Sequence, residues 1–396
     1  MPVEAFDDLS ALGQEFVDDP YPVYAELRSR GPVHRVRTAA SGEFWLVVDH
    51  EVGRAALSDP RLSNDIRQSA DWADDGGNSI GLNMVQTDPP QHTRLRQLVA
   101  KGFTARRIEA LRPRVRKIAD ELVDGLLERG QADLVEAFAL PLPLAVICEL
   151  LGVPAADRKT FHDWYLTSTD FTRPEAAGAA AGAMTGYLAE LIAAKREEPG
   201  EDLLSALARA MDEDEDRLSP EEMLGMAFLL LVAGYETAAN LLSSGVLALL
   251  RHPGQLAALR ADWSLLDNAV EEMLRYEGPV ETTAFRYAKE NLTLGGTPVA
   301  RGDSVAVVLA AASRDPRRFA EPDRFDIRRA AGGHLAFGHG IHRCLGAPLA
   351  RLEGAVAFRT LLERCPDLAL DTDPAALTWR PSLMLRGLHQ LPVTVG

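Results

Sequence analysis

Apolar residues recur at helical spacing through most of the chain. Between residues 92 and 250 they form successive amphipathic stretches, divided at Pro113, Pro141, Pro143 and Pro154 and by the acidic loop MDEDEDRLSPEE. One long helix is expected over about residues 219–250, and another over 345–364, where Leu349, Leu352, Val356, Phe358, Leu361 and Leu362 share a helical period. Pro348 stands early in the second, where a missing N–H costs little. Strand-like runs cover 44–48, 284–289, 292–294, 304–309 and the tail HQLPVTV, with Gly295-Gly296 and Gly302-Asp303 as turns. The pattern predicts a mainly α fold with small β-sheets in the later third. No Ser/Gly linker, repeat or low-complexity run divides it, so one domain over residues 1–396 is expected.

Composition narrows the class. Hydrophobic residues make up 46% and charged residues 25%, as in ordinary globular proteins. The formal charge of -16 disfavours nucleic acid or an anionic membrane as a partner. The opening MPVEAFDDLS has no basic n-region followed by an apolar stretch, and the apolar run at 224–235 is too short to span a bilayer. A cytoplasmic protein is expected. Three cysteines far apart in sequence argue against a disulfide framework. Cys148 and Cys365 lie in apolar or helix-end contexts and read as packing residues.

Cys344 is different. In Phe337-Gly338-His339-Gly340-Ile341-His342-Arg343-Cys344-Leu345-Gly346 a thiol sits in a glycine-bent loop just before a helix. Gly338 and Gly340 permit positive φ, Gly346 leaves room two residues past the sulfur, and the helix N-terminus favours a thiolate. A turn around a buried cysteine and a zinc site from His339, His342 and Cys344 are the competing readings. Closed structural zinc needs four ligands, and no second cluster of such residues stands in the chain.

This loop resembles the haem-binding segment of the cytochrome P-450 superfamily, FGxGxHxCxG, at every fixed position. The resemblance extends over essentially the whole length and implies the P-450 fold, a large helical lobe with small sheets and haem b between distal and proximal helices. It makes Cys344 the iron ligand, His342 a haem-propionate contact, and Phe337, Gly338 and Gly346 neighbours of the haem. Asp88-Pro89-Pro90-Gln91-His92-Thr93-Arg94-Leu95-Arg96 resembles the family's DPPxHxxxR segment, which adds His92 and Arg96 as propionate donors. Arg286 resembles the strand arginine with the same task.

Within the long helix, Ala233-Gly234-Tyr235-Glu236-Thr237 resembles the distal AGx(D/E)T motif. It implies Glu236 and Thr237 in proton delivery during oxygen activation, with Ala233 beside the haem. From the residues alone, Thr237 can bond the Ala233 carbonyl, and Gly234 makes local opening of the helix easier. Glu272-Met273-Leu274-Arg275 resembles ExxR, a structural pair to which the family reading adds Arg324.

The resemblance implies a soluble monooxygenase that inserts one atom of O2 into a small apolar molecule. No GxGxxG fingerprint is present, so electrons are expected from a ferredoxin and its NAD(P)H-dependent reductase. Between residues 92 and 117 the bases Arg94, Arg96, Lys101, Arg106, Arg107, Arg112, Arg114, Arg116 and Lys117 face only Glu109 within that stretch, a candidate docking face. The runs YEGPVETTAFR and LLLVAGYET look most like actinobacterial enzymes that tailor polyketides and macrolides, by hydroxylation or epoxidation. Substrate contacts are expected in 66–85, 164–184, 280–283 and 383–385, with Leu82, Met84, Tyr235, Val280, Glu281 and Leu383 as candidates. A peroxide-dependent enzyme, an oxidative-coupling catalyst and a non-catalytic haem or zinc protein are the alternatives.

Overall fold

The computed structural model describes residues 7–72, 83–168, 173–212 and 218–395. Its central element is the helix Pro220–Arg251. Ser219 starts it with a capping box: the Ser219 hydroxyl accepts from the Glu222 N–H at 3.1 Å, and the Glu222 carboxylate accepts from the Ser219 N–H at 3.0 Å. Pro220 occupies the first turn, where no N–H is needed. The second expected helix runs Ala347–Arg364. It packs on Arg112–Arg129 and on the central helix, which also packs on Pro141–Leu151 and Leu266–Tyr276. Pro113, Pro141 and Pro143 all fall in the first turns of helices, so they mark starts of elements.

Small residues set how closely these helices approach. An added Cβ on Gly234 would lie 2.8 Å from Ile147, and one on Gly245 would lie 2.5 Å from Phe358. The central helix is unbroken through Gly234. The glycine therefore serves close packing with Pro141–Leu151, and the helix does not open there.

A six-stranded sheet lies to one side, in the order Asp7–Asp8, Val33–Thr38, Gly42–Val47, Ser304–Val307, Arg286–Ala288, Leu62–Ser63. Trp45 and Arg286 both pair with Val305, so strands from the two ends of the chain meet there. A three-stranded sheet joins Ala369–Leu370, Pro392–Thr394 and Gln131–Asp133, and Leu292–Leu294 pairs with Thr297–Val299. Val33–Thr38 was not expected as a strand: only Val33 and Val36 are buried, and its charged residues hide the alternation.

Among the described residues, two helices are long and apolar enough to cross a membrane by length and composition. Pro220–Arg251 is a core helix, and Pro174–Glu197 buries Ala180, Met184, Leu188 and Ile192, four residues apart, against neighbouring helices.

Candidate active site

The Cys344 loop is closed by its own backbone. The Cys344 N–H donates to the Phe337 carbonyl at 2.8 Å, and the Gly338 N–H donates to Leu335 at 2.7 Å. Gly338 and Gly340 have φ of 67° and 74°. At Gly340 a Cβ would also lie 2.5 Å from the Leu57 carbonyl. Gly346 has ordinary φ, and a Cβ there would meet only the Cys344 sulfur, at 3.8 Å, so glycine at this position keeps space open beside the sulfur.

Cys344 is accessible, yet its accessible face opens into a cavity of about 350 Å³ between the central helix, the Cys344 loop and the sheet. The surrounding protein raises the thiol pKa, while the N–H groups of Gly346 and Ala347 and the charges of Arg96 and Arg343 lower it. A metal bound at the sulfur would settle this opposition in favour of the thiolate. The zinc arrangement does not form. His339 accepts from Arg54, His342 lies against His92, and no group of three metal-ligating side chains occurs among the described residues.

One side of the cavity gathers bases: Arg96, Arg286 and His342 line it, and His92 stands behind them against His342. The rings of His92 and His342 are 4.2 Å apart. Neither ring nitrogen of His92 has a hydrogen bond of good geometry, nor does the buried Arg286 Nε, among the described residues. Burial, then His92, Arg286 and Arg96, push His342 down to about 3. Burial pushes Arg286 down to about 10 against the weak pull of Asp88. Arg96 donates to the Arg343 carbonyl at 2.7 Å. Buried donors of this kind need acceptors, and the charged Arg96 and Arg286 favour anionic ones. Two carboxylates on a flat ligand above the sulfur meet that requirement, so the donor set fits haem.

Across the cavity, Ala233, Gly234, Thr237, Ala238 and Leu241 line the wall. The Thr237 hydroxyl donates to the Ala233 carbonyl at 2.9 Å. Glu236 is buried and off this face; its carboxylate meets Arg380 at 2.9 Å, and burial raises its pKa against that pairing. Tyr235 does not reach the cavity. It points about 200° around the helix from Ala233, packs on Tyr165 and meets His162 at 3.3 Å.

The remaining wall includes Met84, Val85, Phe103, Val280, Thr283, Ala284 and Met384. Leu82 lies outside the described residues. Two other expected contacts are displaced by the local extended backbone, in which neighbours face opposite ways. Met384 faces the cavity, while Leu383 packs with the sheet cluster and accepts at its carbonyl from the Thr282 hydroxyl at 2.8 Å. Val280 faces the cavity, while Glu281 points into the core, where it accepts from the Tyr24 hydroxyl. Burial pushes Glu281 up to about 7 although Arg386 opposes it.

Glu353 was missed. It is 1% exposed, lines the cavity about two helical turns after Gly346, and has an unpartnered Oε2; burial holds its pKa well above the carboxylate range. The available signal was an acid on the apolar face of an otherwise amphipathic helix.

The Glu272–Arg275 pair is fully buried and bidentate, at 2.7 and 2.8 Å. Arg275 also donates to the Ser313 and Pro322 carbonyls at 3.1 and 2.7 Å. Arg324 is not its third member. The Arg324 side chain faces solvent beside Glu321 and Asp326, and only its carbonyl meets Arg275. Arg329 takes the place, with Nε 3.3 Å from Glu272.

The basic stretch is less bare than its local sequence. Arg94 pairs with Glu222, Arg112 with Glu109, Arg114 with Glu149, Arg116 with Asp120 and Lys117 with Glu121. Lys101, Arg106 and Arg107 are exposed and without an ion pair among the described residues.

A family model described as Cytochrome P450 matches residues 161–379. The chain is 58% identical to the cytochrome P450 monooxygenase PikC of Streptomyces venezuelae, covering 98% of this chain and 93% of that one. It is 46% identical to the 6-deoxyerythronolide B hydroxylase of Saccharopolyspora erythraea, covering 95% and 96%. The solved structure of tirandamycin C-bound P450 monooxygenase TamI superposes with a TM-score of 0.91 at 44% identity, covering 98% of this chain and all of that one.

Proposed function

The chain belongs to the cytochrome P450 family, and from that premise we propose that residues 1–396 form one domain that tailors a polyketide or macrolide by hydroxylation or epoxidation. It is a monooxygenase with a haem-thiolate centre. The bound haem supplies the activation of O2, one atom of which enters the substrate while the other leaves as water.

The cofactor is haem b, held by Cys344 at iron and by His92, Arg96, Arg286 and His342 at the propionates. The observation that carries this assignment is the convergence of Arg96, Arg286 and His342, with His92 packed on His342 and none of them ion-paired to an acid among the described residues, on the cavity that holds the Cys344 sulfur. Ala233, Phe337, Gly338 and Gly346 shape the surfaces against its faces. Glu236 and Thr237 hold and pass the protons, and Glu272, Arg275 and Arg329 fix the structure behind the Cys344 loop.

Substrate binding rests on apolar area from Met84, Val85, Phe103, Val280 and Met384, with few polar groups to orient it. A polyketide-type substrate is supported by the relative named for hydroxylating 6-deoxyerythronolide B and by the tirandamycin C-bound neighbour. Electrons come from a ferredoxin and its NAD(P)H-dependent reductase, with the protein in the cytoplasm.

The test is spectroscopic. The reduced, CO-bound protein should show the strongly red-shifted band of thiolate ligation, and Cys344→Ser should lose it. Polyketides and macrolides titrated into the ferric protein should shift the Soret band selectively. An unchanged CO spectrum in Cys344→Ser would overturn the ligand assignment, and shifts confined to fatty acids would overturn the substrate class.

A further inference from the structure

Behind the Cys344 loop lies a second cavity, of about 390 Å³. Phe337, Gly338 and His339 line both cavities, so they form the wall between this cleft and the space that holds the sulfur. Four guanidinium groups, of Arg54, Arg318, Arg343 and Arg351, line the cleft against a single carboxylate, that of Glu271. In a chain of formal charge -16 this is a local reversal of sign.

The carboxylate is already committed. Arg351 donates to it at 2.5 and 2.8 Å, and His334 meets it at 3.2 Å. Burial opposes them, yet Arg351 and His334 hold the Glu271 pKa down at about 2. Arg54, Arg318 and Arg343 are left exposed, with no ion pair among the described residues. Two of them are held by uncharged acceptors: Arg54 donates to His339 Nε2 at 3.3 Å, and Arg318 donates to the Gly332 carbonyl at 2.7 Å. Gly333 admits the second guanidinium. Its φ is 90°, and a Cβ there would lie 2.4 Å from Arg318 Nη2. His50 donates to the Gly333 carbonyl at 2.9 Å and so ties this turn to the helix His50–Ala56. Burial, then Arg54, Arg343 and His50, lower the His339 pKa, which records how closely like charges meet there.

A cleft of one sign focuses the field and concentrates counter-ions. Guanidinium forks match phosphate oxygens two at a time, and three unpaired cations call for more than one negative charge. The volume suits a small ligand. We propose that this cleft binds a compact polyvalent anion, in its simplest form a diphosphate group, between Arg54, Arg318 and Arg343. The site stands apart from the haem assignment, but its consequence rests on that reading. Negative charge behind the Phe337–His339 wall disfavours an added electron at the centre Cys344 holds, so occupancy makes reduction harder.

Calorimetric titration of the holoenzyme with inorganic pyrophosphate at constant ionic strength should show one saturable site. Arg54→Gln and Arg318→Gln should each weaken binding by about 10- to 100-fold, the worth of a charge-assisted hydrogen bond. Arg301→Gln, exposed and outside the cleft, should leave it unchanged. Thermal midpoints without pyrophosphate report whether the variants fold; with it, the wild-type midpoint should rise and those of the two cleft variants should not. Reductive titration should place the wild-type potential lower with pyrophosphate than without. Absence of saturable binding, or equal weakening by Arg301→Gln, would overturn the site, and an unchanged potential at full occupancy would overturn its consequence. If pyrophosphate fails to bind while Arg318→Gln slows reduction by a ferredoxin, the cleft is a protein-docking face and the anion site falls. If Cys344→Ser keeps the wild-type CO spectrum while pyrophosphate still binds, the haem-ligand reading fails and the anion site stands.

Discussion

Replacing Arg329 and Arg324 separately by alanine distinguishes the third member of the buried Glu272–Arg275 cluster. Arg329 donates to Glu272 at 3.3 Å, to the Glu321 and Arg324 carbonyls at 2.9 and 3.0 Å, and to the Ala320 carbonyl, with its side chain 13% exposed. Arg324 has only Glu321 at 3.2 Å and Asp326 at 3.7 Å, with its side chain 58% exposed. Breaking a buried pair costs about 3–5 kcal/mol, but Glu272 would keep Arg275, so Arg329→Ala should cost about 2–4 kcal/mol. An exposed pair such as that of Arg324 is worth about 0–1 kcal/mol. An unfolding entropy of about 2.1 cal/mol/K per residue over 396 residues gives roughly 0.8 kcal/mol per degree at the midpoint. Arg329→Ala should therefore lower the thermal midpoint by about 2–5 °C, and Arg324→Ala by about 1 °C or less. Scanning calorimetry of both variants at one scan rate measures the difference. A loss in Arg324→Ala equal to or larger than that in Arg329→Ala would refute the reasoning.

Arg286→Gln and His342→Ala should each speed haem transfer to apomyoglobin by about 10- to 100-fold, the worth of one charge-assisted hydrogen bond of about 1.5–3 kcal/mol; an unchanged transfer rate would remove that residue from the propionate set. Glu281→Gln should be stabilising at neutral and alkaline pH. Its pKa is raised to about 7 from 4.5, so its contribution to stability is fully present below 4.5 and lost as pH rises through 7. Denaturant midpoints of wild type and variant should therefore diverge from pH 5 to pH 8, and a pH-independent difference would contradict it. Arg107→Glu should slow reduction by an acidic ferredoxin and flatten its ionic-strength dependence, since exposed charges are screened within about 10 Å at 0.1 M salt. Stopped-flow reduction indifferent to the change and to salt would place docking elsewhere.

The chemistry-bearing loop and the two helices that frame it were legible because their signals are local. Gly338, Gly340 and Gly346 report backbone conformation and free space within ten residues of Cys344, and the central helix announces itself by period, by Ser219 and by Pro220. The assignment of His92, Arg96, Arg286 and His342 to one ligand also began in sequence, through resemblance. Their convergence without an ion-paired acid among the described residues is a fact of the fold.

Facing direction was not legible in the same way. Val280 and Glu281, or Leu383 and Met384, are neighbours whose exchange of faces depends on which strand or segment they pair with, and Glu281 turns inward because Tyr24, from residues far earlier, meets it there. Arg324 and Arg329 differ by five residues in a stretch without helix or strand, so no period assigns either to Glu272. The partners of Arg114 and Glu236 likewise come from Glu149 and Arg380, which only folding brings near. The sequence by itself determined the glycine-bent Cys344 loop and the long helices, since short-range sterics and hydrophobic period encode them, and the loop's motif carried the resemblance to the family. Tertiary structure alone decided which side chains share the cavity and which ions are paired, because those depend on through-space distance between segments that chain order leaves unconstrained.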